Sequence, residues 1–151
     1  MTTTPTSKND TPEGKKRAQL EQNARNGATY FFWIAFFSIF NQVMDIVSVK
    51  RSFVFGLGVP QYVGLLLAAP NPTLIWGIII VLAAIFVVFG IFARRGNILL
   101  YAIGIVFYLA DLVFSVLVGD IVSAVVHVVL VVLLVMGLIA TIKLNNASPE
   151  A

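Results

Sequence analysis

The chain reads as all-α, an integral membrane four-helix bundle with a short interfacial or re-entrant segment between helices one and two. Three observations carry this reading. First, the 151 residues are 59% hydrophobic and 11% charged, whereas soluble domains carry about 25% charged residues. Second, mean hydropathy is +0.95. Third, apolar runs near 20 residues, the length that crosses ~30 Å of hydrocarbon as a helix, occupy residues 28–49, 73–93, 98–118 and 121–142. Residues 27–142 therefore make one four-helix transmembrane domain, between a basic tail (1–26) and a polar tail (143–151). The chain has no Cys, which excludes disulfides, iron–sulfur clusters and thiolate chemistry. A net charge of +3 is too small and too dispersed for a nucleic-acid partner.

The first 14 residues, MTTTPTSKNDTPEG, have no apolar periodicity and read as a disordered tail. Lys15, Lys16 and Arg17 follow, then a helix-compatible stretch containing Arg25; the basic tail fits a juxtamembrane segment near anionic headgroups. The apolar run 28–49 exceeds the ~7–15 residues of a signal-peptide core and has no small-residue cleavage site after it, so it stays as the first span. Tyr30, Phe31, Phe32 and Trp33 open it with interfacial aromatics. Ser38, Asn41, Gln42, Asp45 and Ser48 then recur at three- and four-residue steps, one polar stripe that must face the protein interior or a wet cavity.

Residues 52–72 are apolar but broken by Gly56, Gly58, Pro60, Gly64 and Pro70. Pro60 opposes a continuous helix, so a loop and a short helix over 61–69 are expected, as a lid or a substrate-contacting loop. The second span starts at Pro72-Thr73, ends at Arg94-Arg95-Gly96-Asn97, and has no ionisable or amide side chain between Trp76 and Phe92. It is the most lipid-like helix.

The last two spans form a hairpin around Gly119-Asp120. Gly104, Tyr108, Asp111 and Ser115 make one stripe on the third helix, and His127, the only histidine, lies toward the start of the fourth. Asp111 and His127 are each eight residues from Gly119, hence about 12 Å from the turn at the helical rise. Asp120 is seven residues before His127, nearly on its face. Asn41 and Gln42 fall at a similar depth, about 11 Å from the end of the first span, with Asp45 and Asp120 nearer the mouth. The candidate ligand- or proton-handling residues are therefore Asp111, His127, Asn41, Gln42, Asp45, Tyr108 and Asp120. Four spans put both termini on one side, and Lys and Arg divide eight to two in favour of that side. Both termini are accordingly expected in the cytoplasm, with the polar cluster outward-facing.

Two uses of an acid–imidazole pair at matched depth stay open. The pair can satisfy itself and fix helix three to helix four, or it can hold and pass a proton. Metal binding would rest on one imidazole plus carboxylates, poorer than structural zinc sites usually are. Bis-histidine haem would need a dimer. No G-x-S-x-G elbow or phosphate-binding fingerprint is present. The sequence thus calls for no metal, no cofactor and no catalytic residues. It predicts a non-enzymatic structural or interaction protein partnered by the lipid bilayer and by a second copy or another membrane protein. The alternative is a small proton-coupled transporter or ligand-binding protein using Asp111 and His127. Small multidrug transporters share the four-span size but carry a Glu in the first helix and a weak charge bias; here the bias is strong and the first helix offers Asp45 near its end.

The order Asn26-Gly27-Ala28, Trp33-Ile34-Ala35, Gly56-Leu57-Gly58, Gln61, then Tyr108, Asp111, Gly119-Asp120, His127 and Gly137 resembles a group of small bacterial four-span membrane proteins. The resemblance runs from Asn26 to about Gly137, with Gly64 near where that group's pattern has an acidic residue. It implies a bacterial inner-membrane location and no established activity.

Overall fold

The structure, a computed structural model, describes residues 11–46, 71–117 and 119–147. Four helices account for nearly all of them: α1 (Pro12–Ile46), α2 (Pro72–Arg94), α3 (Ile98–Leu117) and α4 (Ile121–Asn146). Each is long and apolar enough to cross a membrane, consistent with a multi-pass membrane protein. The segment expected to be interfacial or re-entrant, together with Ser48 and the outermost parts of both tails, lies outside the described residues. So do the side chains of Asp45 and Ile46.

α1 corrects one expectation. The disordered tail expected over the first 14 residues ends sooner: the helix begins at Pro12, takes in the helix-compatible stretch after Arg17 and runs unbroken into the apolar stretch. The local chemistry explains it. Thr11 Oγ1 accepts the Gly14 N–H at 3.1 Å, Pro12 occupies the first helical position, where no N–H is needed, and Glu13 complements the helix dipole. Strong helix formers follow, and Arg17 pairs with Glu21 one turn on at 3.4 Å. At 35 residues the helix is about 52 Å long, so it extends well past ~30 Å of hydrocarbon.

Each helix has two principal neighbours: α1 packs on α2 and α4, and α3 packs on α2 and α4. α1 buries Gly27, Ala28, Phe31, Ile34, Ala35, Ser38 and Asn41 at helical spacing, while Trp33, Phe36, Ile39 and Val43 face outward. Phe31 fills the space over Gly104 of α3, and Phe32 fills that over Gly90 of α2; a Cβ at either glycine would approach the ring to 2.7–2.8 Å. Phe31 also meets Tyr101 edge-on at 5.3 Å. The core is thus aromatic rings set into glycine notches. α2 is less purely lipid-facing than its composition suggests, because Ile79, Ala83, Phe86, Phe89, Gly90 and Ala93 form a buried face.

α1 and α4 approach closely enough for backbone to meet backbone. A Cβ on Gly27 would lie 2.5 Å from the Gly137 Cα, and one on Gly137 would lie 2.6 Å from the Gly27 Cα. The Tyr101 hydroxyl of α3 lies in the same notch. Small residues permit such backbone contact between membrane helices, where packing rather than water exclusion drives association.

Two tight turns complete the frame. After α2, Gly96 (φ 77°) closes the helix with its N–H on Ala93 O at 3.0 Å and the Asn97 N–H on Phe92 O at 3.1 Å. Asn97 Oδ1 then accepts the Leu100 N–H at 3.0 Å to start α3. Asn145 of α4 donates to Gly96 O at 3.0 Å, tying this turn to the end of α4. After α3, Gly119 (φ 79°) plays the same part, and Asp120 Oδ1 caps α4 by accepting the Ser123 N–H at 3.0 Å.

Candidate functional site

The hairpin α3–α4 brings Asp111 and His127 into direct contact. His127 Nε2 lies 2.7 Å from Asp111 Oδ2, and the two side chains are 0% and 1% exposed. The minimal Gly119-Asp120 turn makes residues at equal distance from it face each other, as the spacing predicts. The opposite ring nitrogen, Nδ1, lies 2.7 Å from the backbone carbonyl of Ser123. A carbonyl only accepts, so Nδ1 carries hydrogen. That leaves one proton for the Nε2–Oδ2 contact. Whether imidazolium with carboxylate or imidazole with carboxylic acid is written, the pair is neutral as a unit. Neutrality is what permits it inside an apolar structure, since an isolated charge there is costly.

Hydroxyls extend the network toward the Gly119 end. Ser123 Oγ is 3.3 Å from His127 Nδ1 and 3.4 Å from Ser115 Oγ, and Ser115 donates to the Asp111 carbonyl at 3.1 Å. With Nδ1–H and the Ser115 hydrogen fixed as donors, the Ser123 hydroxyl must donate to Ser115. The direction therefore runs Ser123 to Ser115 to a peptide carbonyl, which cannot pass a proton onward.

Tyr108, one turn before Asp111, stacks on the imidazole with centroids 4.9 Å apart and planes 15° apart. Phe86 of α2 meets Tyr108 edge-on at 6.2 Å, so the Tyr108 ring is packed between the imidazole and Phe86. The Tyr108 and Tyr101 hydroxyls are buried without a hydrogen-bond partner among the described residues.

The remaining candidates separate. Asp120 serves as the α4 cap, half-buried and bonded to Ser123 N–H. Asn41 is buried and Gln42 half-buried on α1. From the Gly27–Tyr101–Gly137 meeting point, Asn41, Ser115 and Ser123 are each 14 residues along their helices (41 − 27, 115 − 101, 137 − 123), about 21 Å. Asp111 and His127 are each 10 residues along. Asn41 thus shares its level with the two serines, and Ser38, at 11 residues, with the pair. Ser123 reaches the pair through its position four residues before His127, where its carbonyl meets the ring. Among the described residues no group of three His, Cys, Asp or Glu side chains can hold a metal ion.

Two apolar cavities of about 620 Å³ flank the helices, one along the first half of α2 and one between α3 and α4 beside Gly119; neither is lined by Asp111 or His127. No protein-family model, curated protein or solved structure matches the chain.

Proposed function

We propose that the chain is a small polytopic bacterial inner-membrane protein, a four-helix bundle with both termini cytoplasmic, of the four-span group it resembles. Its role is structural or interactive rather than enzymatic, with the Asp111–His127 network holding α3 against α4. One observation supports this above all. Both ring nitrogens of His127 are engaged at 2.7 Å, on Asp111 Oδ2 and on Ser123 O, and neither residue lines a described cavity. Both ring nitrogens thus have partners within the α3–α4 hairpin, as a lock between two helices requires.

A lock and a proton carrier respond differently to substitution. Asp111→Ala and His127→Ala should each lower the denaturation midpoint of the detergent-solubilised protein. The double variant should be no worse than either single, with a coupling of about 1–2 kcal/mol. Asp111→Asn should retain most stability, because its amide N–H can donate to Nε2 of the imidazole. Independent, additive losses would sink the lock. Retained stability with loss of proton uptake into proteoliposomes would establish the transporter alternative instead.

A further inference from the structure

The end of the molecule opposite the Asp111–His127 pair carries a group of cations from three helices, one of them fixed in place. Arg94, in the last turn of α2, donates from Nη2 to Thr29 Oγ1 of α1 at 3.1 Å and lies over the Phe32 ring, 4.6 Å from its centroid. Phe32 is itself seated on Gly90, one turn before Arg94. Thr29 in turn donates to the Arg25 carbonyl at 2.8 Å. Arg95 lies over Phe92 at 5.6 Å. Lys143, in the last turn of α4, is brought to the same end by the Asn145–Gly96 bond. Arg25, Arg94, Arg95 and Lys143 are all exposed, and they come from three helices.

One carboxylate, Glu21, lies at this level, one turn before Arg25, and it is engaged by Arg17 at 3.4 Å. Of the other carboxylates among the described residues, Glu13 lies two turns farther out, and Asp111 and Asp120 belong to the α3–α4 hairpin toward its Gly119 turn. Measured from the Gly27–Gly137 crossing, Arg25 is two residues out and Lys143 six, about 3 and 9 Å. Arg17 is ten residues out, about 15 Å. A guanidinium resting on a ring at a helix end keeps most of its N–H groups outward at the level where hydrocarbon gives way to headgroups. The Arg94 side chain, which would otherwise be mobile, is here held by Thr29 and Phe32 before any ligand arrives.

We propose that Arg25, Arg94, Arg95 and Lys143 form a binding surface for the phosphodiester headgroup of an anionic phospholipid, with Arg94 as its fixed centre. Guanidinium N–H pairs match phosphate oxygens, and basic groups beside membrane helices select anionic lipid at about 1 kcal/mol each. The assignment needs only that the helices sit in a membrane, not that their termini face the cytoplasm.

The test uses the full chain in dodecyl maltoside with added dioleoyl phosphatidylglycerol or dioleoyl phosphatidylcholine, read by native mass spectrometry and by thermal midpoint. Phosphatidylglycerol should be retained several-fold over phosphatidylcholine and should raise the midpoint more. The Arg94→Gln/Arg95→Gln variant should lose that preference, whereas Lys15→Gln/Lys16→Gln/Arg17→Gln should keep it. Should the arginine variant fail to fold, Arg25→Gln/Lys143→Gln carries the same expectation of a reduced preference. Equal retention of the two lipids, or a preference abolished only by the Lys15–Lys16–Arg17 variant, overturns the surface. A midpoint shift reproduced by inorganic phosphate alone overturns the lipid in favour of a free-anion site. Because the assay is in detergent, its failure is separate from any failure of the proposed topology.

Discussion

At the scale of single residues, this protein concentrates its tolerances in two places: a neutral acid–imidazole pair and a glycine crossing. The second is the more sensitive to added atoms. A methyl on Gly137 would be built 2.6 Å from the Gly27 Cα and onto the Tyr101 hydroxyl. Backbone cannot yield as a side-chain tip can, so Gly137→Ala should cost about 1–3 kcal/mol, read as a lower denaturation midpoint in detergent. Tyr101→Phe should do the opposite. Its hydroxyl is buried without a partner, and deleting such a group should leave stability unchanged or raise it by about 1 kcal/mol. A fall of that size on Tyr101→Phe would mean that the hydroxyl has a partner after all. The acid–imidazole pair was readable in the sequence because His127 is the only histidine and shares its distance from Gly119 with Asp111. The crossing was not. Gly27 and Gly137 are 110 residues apart (137 − 27), and no pattern within either helix says which glycine finds which.

At the scale of elements, the α3–α4 hairpin depends on two residues that do no chemistry. Gly119 has φ 79°, a conformation that costs other L-residues roughly 1–2 kcal/mol, and the Asp120 carboxylate caps α4 at 3.0 Å from the Ser123 N–H. Asp120→Ala should cost about 1 kcal/mol and should loosen Ser123, whose carbonyl holds the His127 ring. The expected reading is faster amide hydrogen exchange over the first turn of α4, with Asp120→Asn close to wild type. Asp120 illustrates why charge alone misleads in reading a sequence. Its seven-residue spacing to His127 put it on the right face, but its immediate position before a helix start gave it a nearer partner. The helical boundaries were largely legible from apolar runs, breakers and caps. Apolar periodicity is silent on where α1 begins; local propensity marks the stretch after Arg17 as helix-compatible, and the Thr11 cap carries the helix back to Pro12.

At the scale of the whole molecule, the distribution of Lys and Arg gives a sharp expectation for orientation. Eight of ten lie in the tails and the α2–α3 turn, so a cytoplasmic reporter fused to either terminus should be active in cells and a periplasmic reporter silent. The reverse pattern, or a difference between the two termini, would refute the proposed topology. What the sequence could not set is depth register between helices. Counted from the Gly27–Gly137 crossing, Asn41 is 14 residues along α1, as Ser115 and Ser123 are along α3 and α4, and the acid–imidazole pair is ten. Register is fixed by where Gly27 meets Gly137, a contact made far from the polar residues whose depth it determines.

That contact also sets a phase relation along α4. Gly137 lies ten residues beyond His127 (137 − 127), which in an α-helix turns about 1000°, or some 80° short of three full revolutions. His127 points to α3 and Gly137 to α1, two different neighbours. α4 therefore works like a key cut on two sides. The intervening nine residues act as a fixed angular spacer, so their number matters even where their side chains only face lipid.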